Sequence, residues 1–176
     1  MAQGKLGFGF MRLPVLNGKQ EDIDMEQLNK MVDTFLGGGF TYFDTSFAYH
    51  NGHSEEALRR SVVERYPRDK FTIATKFPTF AVQSEDQVEG IFAQQLQNLG
   101  TDHVDYYLLH ILNRKFYDGL DGKGGVVKTC RLFEHAQQWK AEGKIKHLGF
   151  SFHDSPAMLD KILTEHPEVE FVQIIL

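Results

Sequence analysis

The feature that most limits the fold of this chain is a regular alternation of short β-type runs with helical runs. Six apolar runs rich in β-branched and aromatic residues predict strands, and five segments with helical spacing of apolar residues separate them. The predicted strands are 6–10, 40–43, 71–75, 103–109, 145–150 and 169–176. The predicted helices are 25–36, a segment from 54, 84–99, 128–142 and 156–165. Such alternation with short turns is typical of right-handed βαβ units and a parallel sheet.

Local signals mark where several of these helices begin and end. The helix after Asp24 has one apolar stripe, and glycines 37–39 end it because glycine adopts left-handed backbone conformations at little cost. The stripe consists of Leu28, Met31, Val32, Phe35 and Leu36. Residues 84–87, Ser-Glu-Asp-Gln, form a capping-box pattern, and Ser155 before Pro156 is an N-cap followed by an N1 proline.

Two architectures are compatible with this pattern. An open doubly wound sheet suits a chain of 176 residues well. A (β/α)8 barrel typically needs about 250 residues, so this chain would supply about six of its eight units. Length alone therefore favours the open sheet. In either case residues 1–176 are expected to form a single domain, since no linker-like change in composition interrupts them.

Composition and charge exclude several classes of protein. Nineteen Lys and Arg against 24 Asp and Glu give a net charge of −5 without a basic stripe, which argues against nucleic-acid binding. No apolar stretch approaches the roughly 18 residues that cross a bilayer, and the first residues lack the apolar core of a signal peptide. The single cysteine, Cys130, excludes an intramolecular disulfide. We therefore expect a cytoplasmic protein with no membrane partner.

Polar residues at the ends of predicted strands are the best candidates for a site. Asp44, Lys76 and His110 each follow an apolar strand, and Tyr49 lies five residues beyond Asp44. The carboxyl ends of parallel strands share one edge of the sheet, so we expect the four side chains to converge there. Taken singly, each has an ordinary alternative: a turn residue, a solvated lysine, a core histidine or a packing tyrosine.

Together these four side chains suit carbonyl reduction. A phenol has an ordinary pKa near 10, and an ammonium group within about 5 Å, Lys76 here, would lower that pKa and make Tyr49 a better acid. The Asp44 carboxylate would hold the lysine, and a neutral His110 would orient a carbonyl oxygen.

Other motifs are weaker. Gly4, Gly7 and Gly9 give G-x-x-G-x-G, which is not the order of the dinucleotide-binding fingerprint. The cluster of His50, His53, Glu55 and Glu56 matches no standard metal-ligand spacing, and a polar loop leading into a helix is the more ordinary interpretation. Cys130 is interpreted as a small core residue inside the helix 128–142. No metal site is predicted.

Five ordered blocks of the sequence resemble the aldo-keto reductase family, and the Met-Arg-Leu-Pro segment resembles its bacterial predicted-oxidoreductase branch. The blocks are Leu-Gly-Phe-Gly-Phe-Met-Arg-Leu-Pro at 6–14, Phe-Asp-Thr-Ser-Phe-Ala-Tyr at 43–49, Ala-Thr-Lys at 74–76, Asp-Tyr-Tyr-Leu-Leu-His at 105–110 and Lys-His-Leu-Gly-Phe-Ser-Phe at 146–152. The resemblance implies a (β/α)8 barrel that binds a nicotinamide cofactor without a Rossmann loop. It reverses the preference from length and predicts an incomplete barrel of about six strands and five helices.

The resemblance also assigns residues. It implies NADPH or NADH as cofactor and reduction of a small aldehyde or ketone, with Tyr49 as the general acid. Lys76, Asp44 and His110 complete the catalytic set by position. Ser151 and Gln173 match positions that hold the nicotinamide carboxamide, and Met11 and Arg12 lie where the first loop approaches the cofactor. The cofactor-binding candidates are therefore Met11, Arg12, Ser151 and Gln173.

The sequence departs from the family in two places. Phe152 stands where many members have Asn, and the chain stops within the sixth predicted strand, before the units that bind most of the cofactor's pyrophosphate and adenosine phosphate. We therefore expect weak or absent turnover from these residues alone, and self-association through the unpaired first and sixth strands. The alternative function is a non-catalytic module on the same scaffold that binds nicotinamide or a protein partner.

Overall fold

The computed structural model of the chain describes residues 5–174, and six strands form one sheet within them. The strands are β1 (Gly7–Gly9), β2 (Tyr42–Asp44), β3 (Thr72–Phe77), β4 (Val104–Leu112), β5 (Ile145–Phe152) and β6 (Phe171–Ile174). They lie in the sheet in chain order, and the pairs β1–β2, β2–β3 and β5–β6 are parallel. The alternating pattern of the sequence therefore predicted the strands correctly, with differences only at their ends.

The strand order separates the two architectures that the sequence left open. A doubly wound sheet reverses its strand order at a switch point, where the ligand binds. Here each strand lies next to the strand that follows it in the chain, from β1 through β6, with no reversal. This is the order of a barrel, and the preference that chain length alone gave for the open sheet is wrong.

Seven α-helical segments lie in the described part of the chain. They are α1 (Met25–Gly37), α2 (Ser54–Leu58), α3 (Val88–Leu99), α4 (Arg114–Tyr117), α5 (Val126–Thr129), α6 (Leu132–Ala141) and α7 (Pro156–Glu165). A π-helical turn, Arg59–Val63, continues α2. None of these helices combines the length and the apolar character needed to cross a bilayer.

Helices α1 and α7 confirm the signals read from the sequence. The Asp24 carboxylate accepts a hydrogen bond from the Gln27 N–H (3.0 Å) and caps α1, and Gly39 has the left-handed φ of +82° that the glycine run predicts. Ser155 caps α7 through the Met158 N–H, with Pro156 in the first turn. On α1 the stripe buries Leu28, Val32 and Phe35, while Met31 is left exposed.

The prediction of a capping box at 84–87 is wrong in detail. A 3-10 turn, Glu85–Gln87, precedes α3, and the Ser84 side chain makes no capping hydrogen bond. The Gln87 side chain instead accepts from the Gln83 N–H (2.9 Å). The tighter turn brings the backbone N–H of Gln87 to the Ser84 carbonyl, so the hydroxyl is not needed there.

The region after β4 also differs from the prediction. Residues 113–125, to which the sequence assigns no strand or helix, contain α4, which the Asn113 side chain caps through the Phe116 N–H (3.1 Å). The helix expected at 128–142 is divided into α5 and α6, because Arg131 between them adopts a left-handed φ of +50°. Cys130 therefore ends α5 and does not lie inside a helix, although it is buried as predicted.

Contacts within the chain group it into two compact units. The first comprises residues 1–75 and 95–104, and the second comprises 76–94 and 105–176. In the first unit the core is a cluster of phenylalanine rings with centroids 5.2–6.1 Å apart, formed by Phe8, Phe10, Phe35 and Phe43. In the second unit Trp139 stacks on Phe92 at 3.9 Å and meets the edge of Tyr107. Aromatic packing thus stabilises each unit from within.

The pairing of β5 with β6 depends on a close backbone approach at Gly149. A Cβ atom at this position would lie 2.5 Å from the Phe171 carbonyl oxygen, so only glycine allows it. Beside it, Glu170 accepts hydrogen bonds from Lys140, His147 and the Leu148 N–H. Burial alone would raise the pKa of Glu170, but these hydrogen bonds lower that pKa to about 2. The predicted sixth strand also included residues 175–176, which lie outside the described residues, as does Gly4.

Candidate functional site

Strand β2 places Asp44 at its carboxyl end. Asp44 is the last residue of the strand, in register with Gly9 of β1 and Ala74 of β3, and only 9% of it is exposed. The sequence predicted Asp44 just past the strand, whereas β2 includes Asp44 and ends one residue later than predicted. Tyr49 follows on a loop and is half-buried. We call Asp44 and Tyr49 the loop pair.

Buried hydroxyl groups hold the loop that carries Tyr49. The Thr45 and Ser54 hydroxyls lie 2.8 Å apart, and Ser54 donates to the Phe10 carbonyl (3.2 Å). The Thr45 N–H donates to the Ala74 carbonyl (2.8 Å), which extends the ladder of β2 and β3 by one bond. The two ends of the loop are therefore tied to each other and to the sheet.

His50 fixes the same loop from the other side. Its Nε2 accepts a hydrogen bond from the Leu13 N–H (3.0 Å), which places the ring proton on Nδ1, and Nδ1 donates to the Gln20 carbonyl (2.9 Å). The ring is 5% exposed, and its backbone has a left-handed φ of +53°. The sequence pointed to His50 as a weak metal-ligand candidate, but both ring nitrogens are engaged with the backbone. Among residues 5–174, no three His, Cys, Asp or Glu side chains are grouped to hold a metal ion.

The electrostatics of Tyr49 differ from the expectation. Burial, and then the charge of Asp44, raise the pKa of Tyr49 to about 12, whereas the sequence argument predicted a lowered value. The carboxylate that the argument assigned to the lysine acts on the phenol itself. The phenol therefore keeps its proton at neutral pH, and it is a weaker acid than an isolated tyrosine.

Lys76 and His110 lie inside strands. Lys76 is the fifth of the six residues of β3, and His110 is followed in β4 by Ile111 and Leu112. The prediction that each residue follows its strand is wrong, because the backbone ladder continues past a polar side chain. Lys76 is 1% exposed and His110 is 6% exposed. We call these two residues the strand pair.

His110 is neutral in this setting. Burial first, and then the positive charge of Lys76 and the proximity of His153, lower the pKa of His110 to about 3. The Phe80 ring lies 6.0 Å from the imidazole and adds to the apolar surroundings. A neutral imidazole has one N–H to donate, which is the state that the sequence argument required.

The cofactor-binding candidates occupy two places. Ser151 in β5 is in register with Gln173 in β6, so a buried hydroxyl and an exposed amide lie on adjacent strands. The Ser151 oxygen accepts a hydrogen bond from the Ile111 N–H (2.7 Å). Met11 and Arg12 are exposed on the 3-10 turn that follows β1.

The sequence reasoning considered Glu55 only as part of a weak metal-ligand cluster and did not predict that its carboxylate is buried. Glu55 in α2 is fully buried and accepts hydrogen bonds from Thr75 (2.6 Å), Gln95 (2.9 Å) and Asn98 (3.0 Å). Such burial of an acidic side chain requires this number of donors. The only signal in the sequence was its place in the first turn of a helix, which is also typical of exposed residues.

The sequence profile of the Aldo/keto reductase family matches residues 5–175. This chain belongs to the aldo/keto reductase family.

Curated relatives agree with this membership. The chain is 30% identical over 179 residues to Probable aldo-keto reductase 1 of Glycine max, an alignment that covers 97% of this chain and 47% of that relative. It is 27% identical over 156 residues to a Schizosaccharomyces pombe aldo-keto reductase whose name includes NADP(+). This alignment covers 83% of this chain and 42% of that protein. The chain thus spans less than half the length of these relatives.

Solved structures show the same fold. An aldo-keto reductase from Klebsiella pneumoniae in complex with NADPH superposes with a TM-score of 0.70 at 18% identity, over 97% of this chain and 53% of that one. A Bombyx mori aldo-keto reductase in complex with NADP gives a TM-score of 0.71 at 18% identity, over 97% and 54% of the two chains. The predicted fold class, an incomplete (β/α)8 barrel, is confirmed.

Proposed function

We propose that this chain carries the catalytic residues of an NADPH-dependent reductase of a small aldehyde or ketone, with Tyr49 as the general acid. The observation that carries the proposal is the protonation of two groups. Tyr49 is protonated at neutral pH, although its raised pKa of about 12 makes it a weaker acid than an ordinary tyrosine, and His110 is neutral because its pKa is lowered to about 3. A protonated phenol and a neutral imidazole are the donors that a carbonyl oxygen needs as negative charge develops on it.

The proposed roles follow from this chemistry. When bound, NADPH supplies the hydride that reduces the carbonyl carbon. His110 donates its N–H to the carbonyl oxygen and orients it, and Tyr49 transfers the phenolic proton to the same oxygen, which completes the alcohol. The charge of Lys76 would offset the negative charge that Tyr49 then carries, and Asp44 would maintain that lysine in its charged form. The proposal requires the loop pair and the strand pair to act on one carbonyl group.

Ser151 and Gln173 are proposed to hold the carboxamide of the nicotinamide. A carboxamide has both a donor and an acceptor, and it needs partners of both kinds. Ser151 accepts from Ile111 and still has its hydroxyl proton to donate, while an amide such as that of Gln173 can donate and accept. Their shared register supports the assignment, because neighbouring parallel strands are about 4.8 Å apart. Met11 and Arg12, exposed beyond β1, are proposed to approach the remainder of the cofactor.

The experiment measures NADPH binding and turnover side by side. Calorimetry with NADPH is combined with the loss of NADPH absorbance in the presence of a panel of small aldehydes. Tyr49→Phe should lower turnover at least about a hundredfold and leave NADPH binding unchanged, because only the proton donor is removed. Tyr66→Phe is the matched control, since Tyr66 donates to Asp33 away from these strand ends.

Two outcomes would change the proposal. Turnover that persists in Tyr49→Phe removes the tyrosine from its role as acid. NADPH binding with no turnover of any aldehyde would favour the second candidate function, a non-catalytic nicotinamide-binding or partner-binding module.

We also propose that two copies of this chain associate through β1 and β6, the outer strands of the described sheet. An outer strand offers unpaired backbone groups to another strand. Beside β1 an apolar groove of about 470 Å³ is lined by Leu6, Phe8, Met31, Phe35 and Phe40, and Leu6 is 54% exposed. Burial of this surface against a second copy would stabilise the pair.

Sedimentation velocity over a range of concentrations tests this association. Leu6→Lys places a charge in the groove and should shift the chain towards the monomer. Leu120→Lys is the control, because Leu120 is 84% exposed and does not line the groove. A monomer at every concentration for the unsubstituted chain would refute the association.

A further inference from the structure

The backbone has an unusual conformation at Ile111, directly after His110. Ile111 has a left-handed φ of +59° although it lies in β4 and is branched at Cβ. In this region the Cβ of an L-residue crowds the backbone, which costs about 1–2 kcal/mol, and a β-branched residue tolerates it least. Such a conformation persists only where the surrounding structure enforces it.

Two buried hydroxyl groups hold the His110–Ile111 peptide from opposite sides. The Thr79 hydroxyl donates to the His110 carbonyl oxygen, and the Ser151 hydroxyl oxygen accepts from the Ile111 N–H at 2.7 Å. Thr79 is 1% exposed and Ser151 is 4% exposed, so neither bond competes with water. Both polar groups of the peptide are therefore satisfied by side chains.

The two hydroxyls come from elements on either side of the strand. Thr79 lies two residues beyond the end of β3, where its own N–H donates to the Phe77 carbonyl (2.9 Å), and Ser151 lies within β5. β4 lies between β3 and β5 in the sheet order. The His110–Ile111 peptide is thus fixed to both neighbours at the point where the imidazole leaves the backbone.

We propose that Thr79 and Ser151 form a hydroxyl clamp on the His110–Ile111 peptide that sets the direction of the His110 imidazole, which makes Thr79 a positioning residue for carbonyl reduction. This inference rests on the proposed function, because the direction of His110 matters only if the imidazole orients a substrate. Misplacement of such a group by about 1 Å can lower a rate about a hundredfold.

The clamp also gives Ser151 two tasks. Its oxygen accepts from Ile111, and its proton remains available for the carboxamide of the cofactor. Hydrogen bonds in such a chain polarise each other, so occupancy of one strengthens the other. Binding of the nicotinamide at Ser151 would therefore tighten the grip on the peptide that carries His110.

The test substitutes Thr79 and observes His110 directly. Thr79→Val keeps the shape of the side chain and removes its hydroxyl, and Thr79→Ser keeps the hydroxyl. The imidazole correlations of His110 are recorded by NMR on the full chain without cofactor or substrate, with His110→Gln used to assign them. We expect Thr79→Val to broaden or double these signals and Thr79→Ser to restore a single set.

Turnover gives the second readout wherever it is measurable. Thr79→Val should lower kcat about tenfold or more with little change in the KM for NADPH, since Thr79 has no proposed contact with the cofactor. If Thr79→Val does not fold, Ser151→Ala is recorded in the same cofactor-free NMR experiment, where the same broadening is expected. His110 signals that remain single and unshifted in every folded variant lacking a clamp hydroxyl would overturn the proposal.

The two proposals fail in different ways. The NMR readout needs no reaction, so a clamp that fixes His110 can be observed even if the chain reduces no aldehyde. Conversely, turnover that depends on Tyr49 but is accompanied by unchanged His110 signals in Thr79→Val leaves the reductase proposal intact and rejects the clamp.

Discussion

The loop pair and the strand pair are held in position by different means. Asp44 ends β2, and Tyr49 follows on a loop that depends on side-chain hydrogen bonds, chiefly those of His50 to Leu13 and Gln20. Lys76 and His110 lie within strands, so the backbone of β3 and β4 places them, and the Thr79 and Ser151 hydroxyls hold the peptide after His110. A loop residue is therefore only as well placed as the side chains that tie its loop, whereas a strand residue shares the stability of the sheet.

The largest expected effect is the loss of stability when the His50 ring, which holds the loop of Tyr49, is removed. His50→Ala would leave the Leu13 N–H and the Gln20 carbonyl without the imidazole, and we expect it to lower the free energy of unfolding by about 3 kcal/mol. Urea titration measures this loss, and hydrogen exchange should show faster opening of the Tyr49 loop than of β4. His53→Ala, at an exposed neighbouring histidine, should change stability by less than about 0.5 kcal/mol. Equal losses from the two variants would contradict the role of His50.

The second effect is the loss of stability at low pH that His110 of the strand pair causes. The folded pKa of His110, about 3, lies below the unfolded value near 6.5, so the unfolded chain binds the extra proton between these values. The contribution of His110 to stability is complete above pH 6.5 and is lost as the pH falls towards 3.

For this reason His110→Gln should weaken the acid sensitivity of the fold. At pH 5 the proton on unfolded His110 costs the folded state about 2 kcal/mol relative to neutral pH, and the variant should not show this loss. Urea titrations of both chains at a series of pH values measure it. Parallel stability curves for the two chains would show that His110 titrates normally.

The smallest effect compares left-handed residues in the two regions. Asn51 in the Tyr49 loop has a φ of +54° and is exposed, and asparagine tolerates this conformation. Asn51→Val places a β-branched residue there without a clamp and should lower stability by about 1 kcal/mol, while Asn51→Gly should change it by less than about 0.5 kcal/mol. Thermal unfolding of the two variants provides the measurement. Equal stability would mean that Ile111 needs no special support either.

The sequence predicted much of this because its main signals are local. Alternating β-type and helical runs identified six strands and the βαβ pattern, and Asp24 and Ser155 predicted the starts of α1 and α7. Polar residues at or near the ends of predicted strands indicated a candidate site formed by Asp44, Tyr49, Lys76 and His110. The resemblance in five ordered blocks then identified the family, which the profile match confirms.

The features that the sequence did not reveal depend on distant partners or on backbone geometry. His50 bonds to residues 30 and 37 positions away, so nothing in its neighbourhood indicated its role. The direction of the pKa shift of Tyr49 depends on its burial, which a pattern of residue types does not give. The left-handed backbone of Ile111 and of Arg131 runs against the preference of both residue types.

The order of the strands has a consequence for how this protein folds during its synthesis on the ribosome. Each strand from β2 to β6 pairs with the one synthesised just before it, and every connection between these strands contains helical segments. As the chain emerges, every new strand finds its neighbour already made, and no strand has to wait for a partner encoded far downstream. The described sheet can therefore grow strand by strand from β1 to β6 at the pace of translation, with β1 and the newest strand as its two edges.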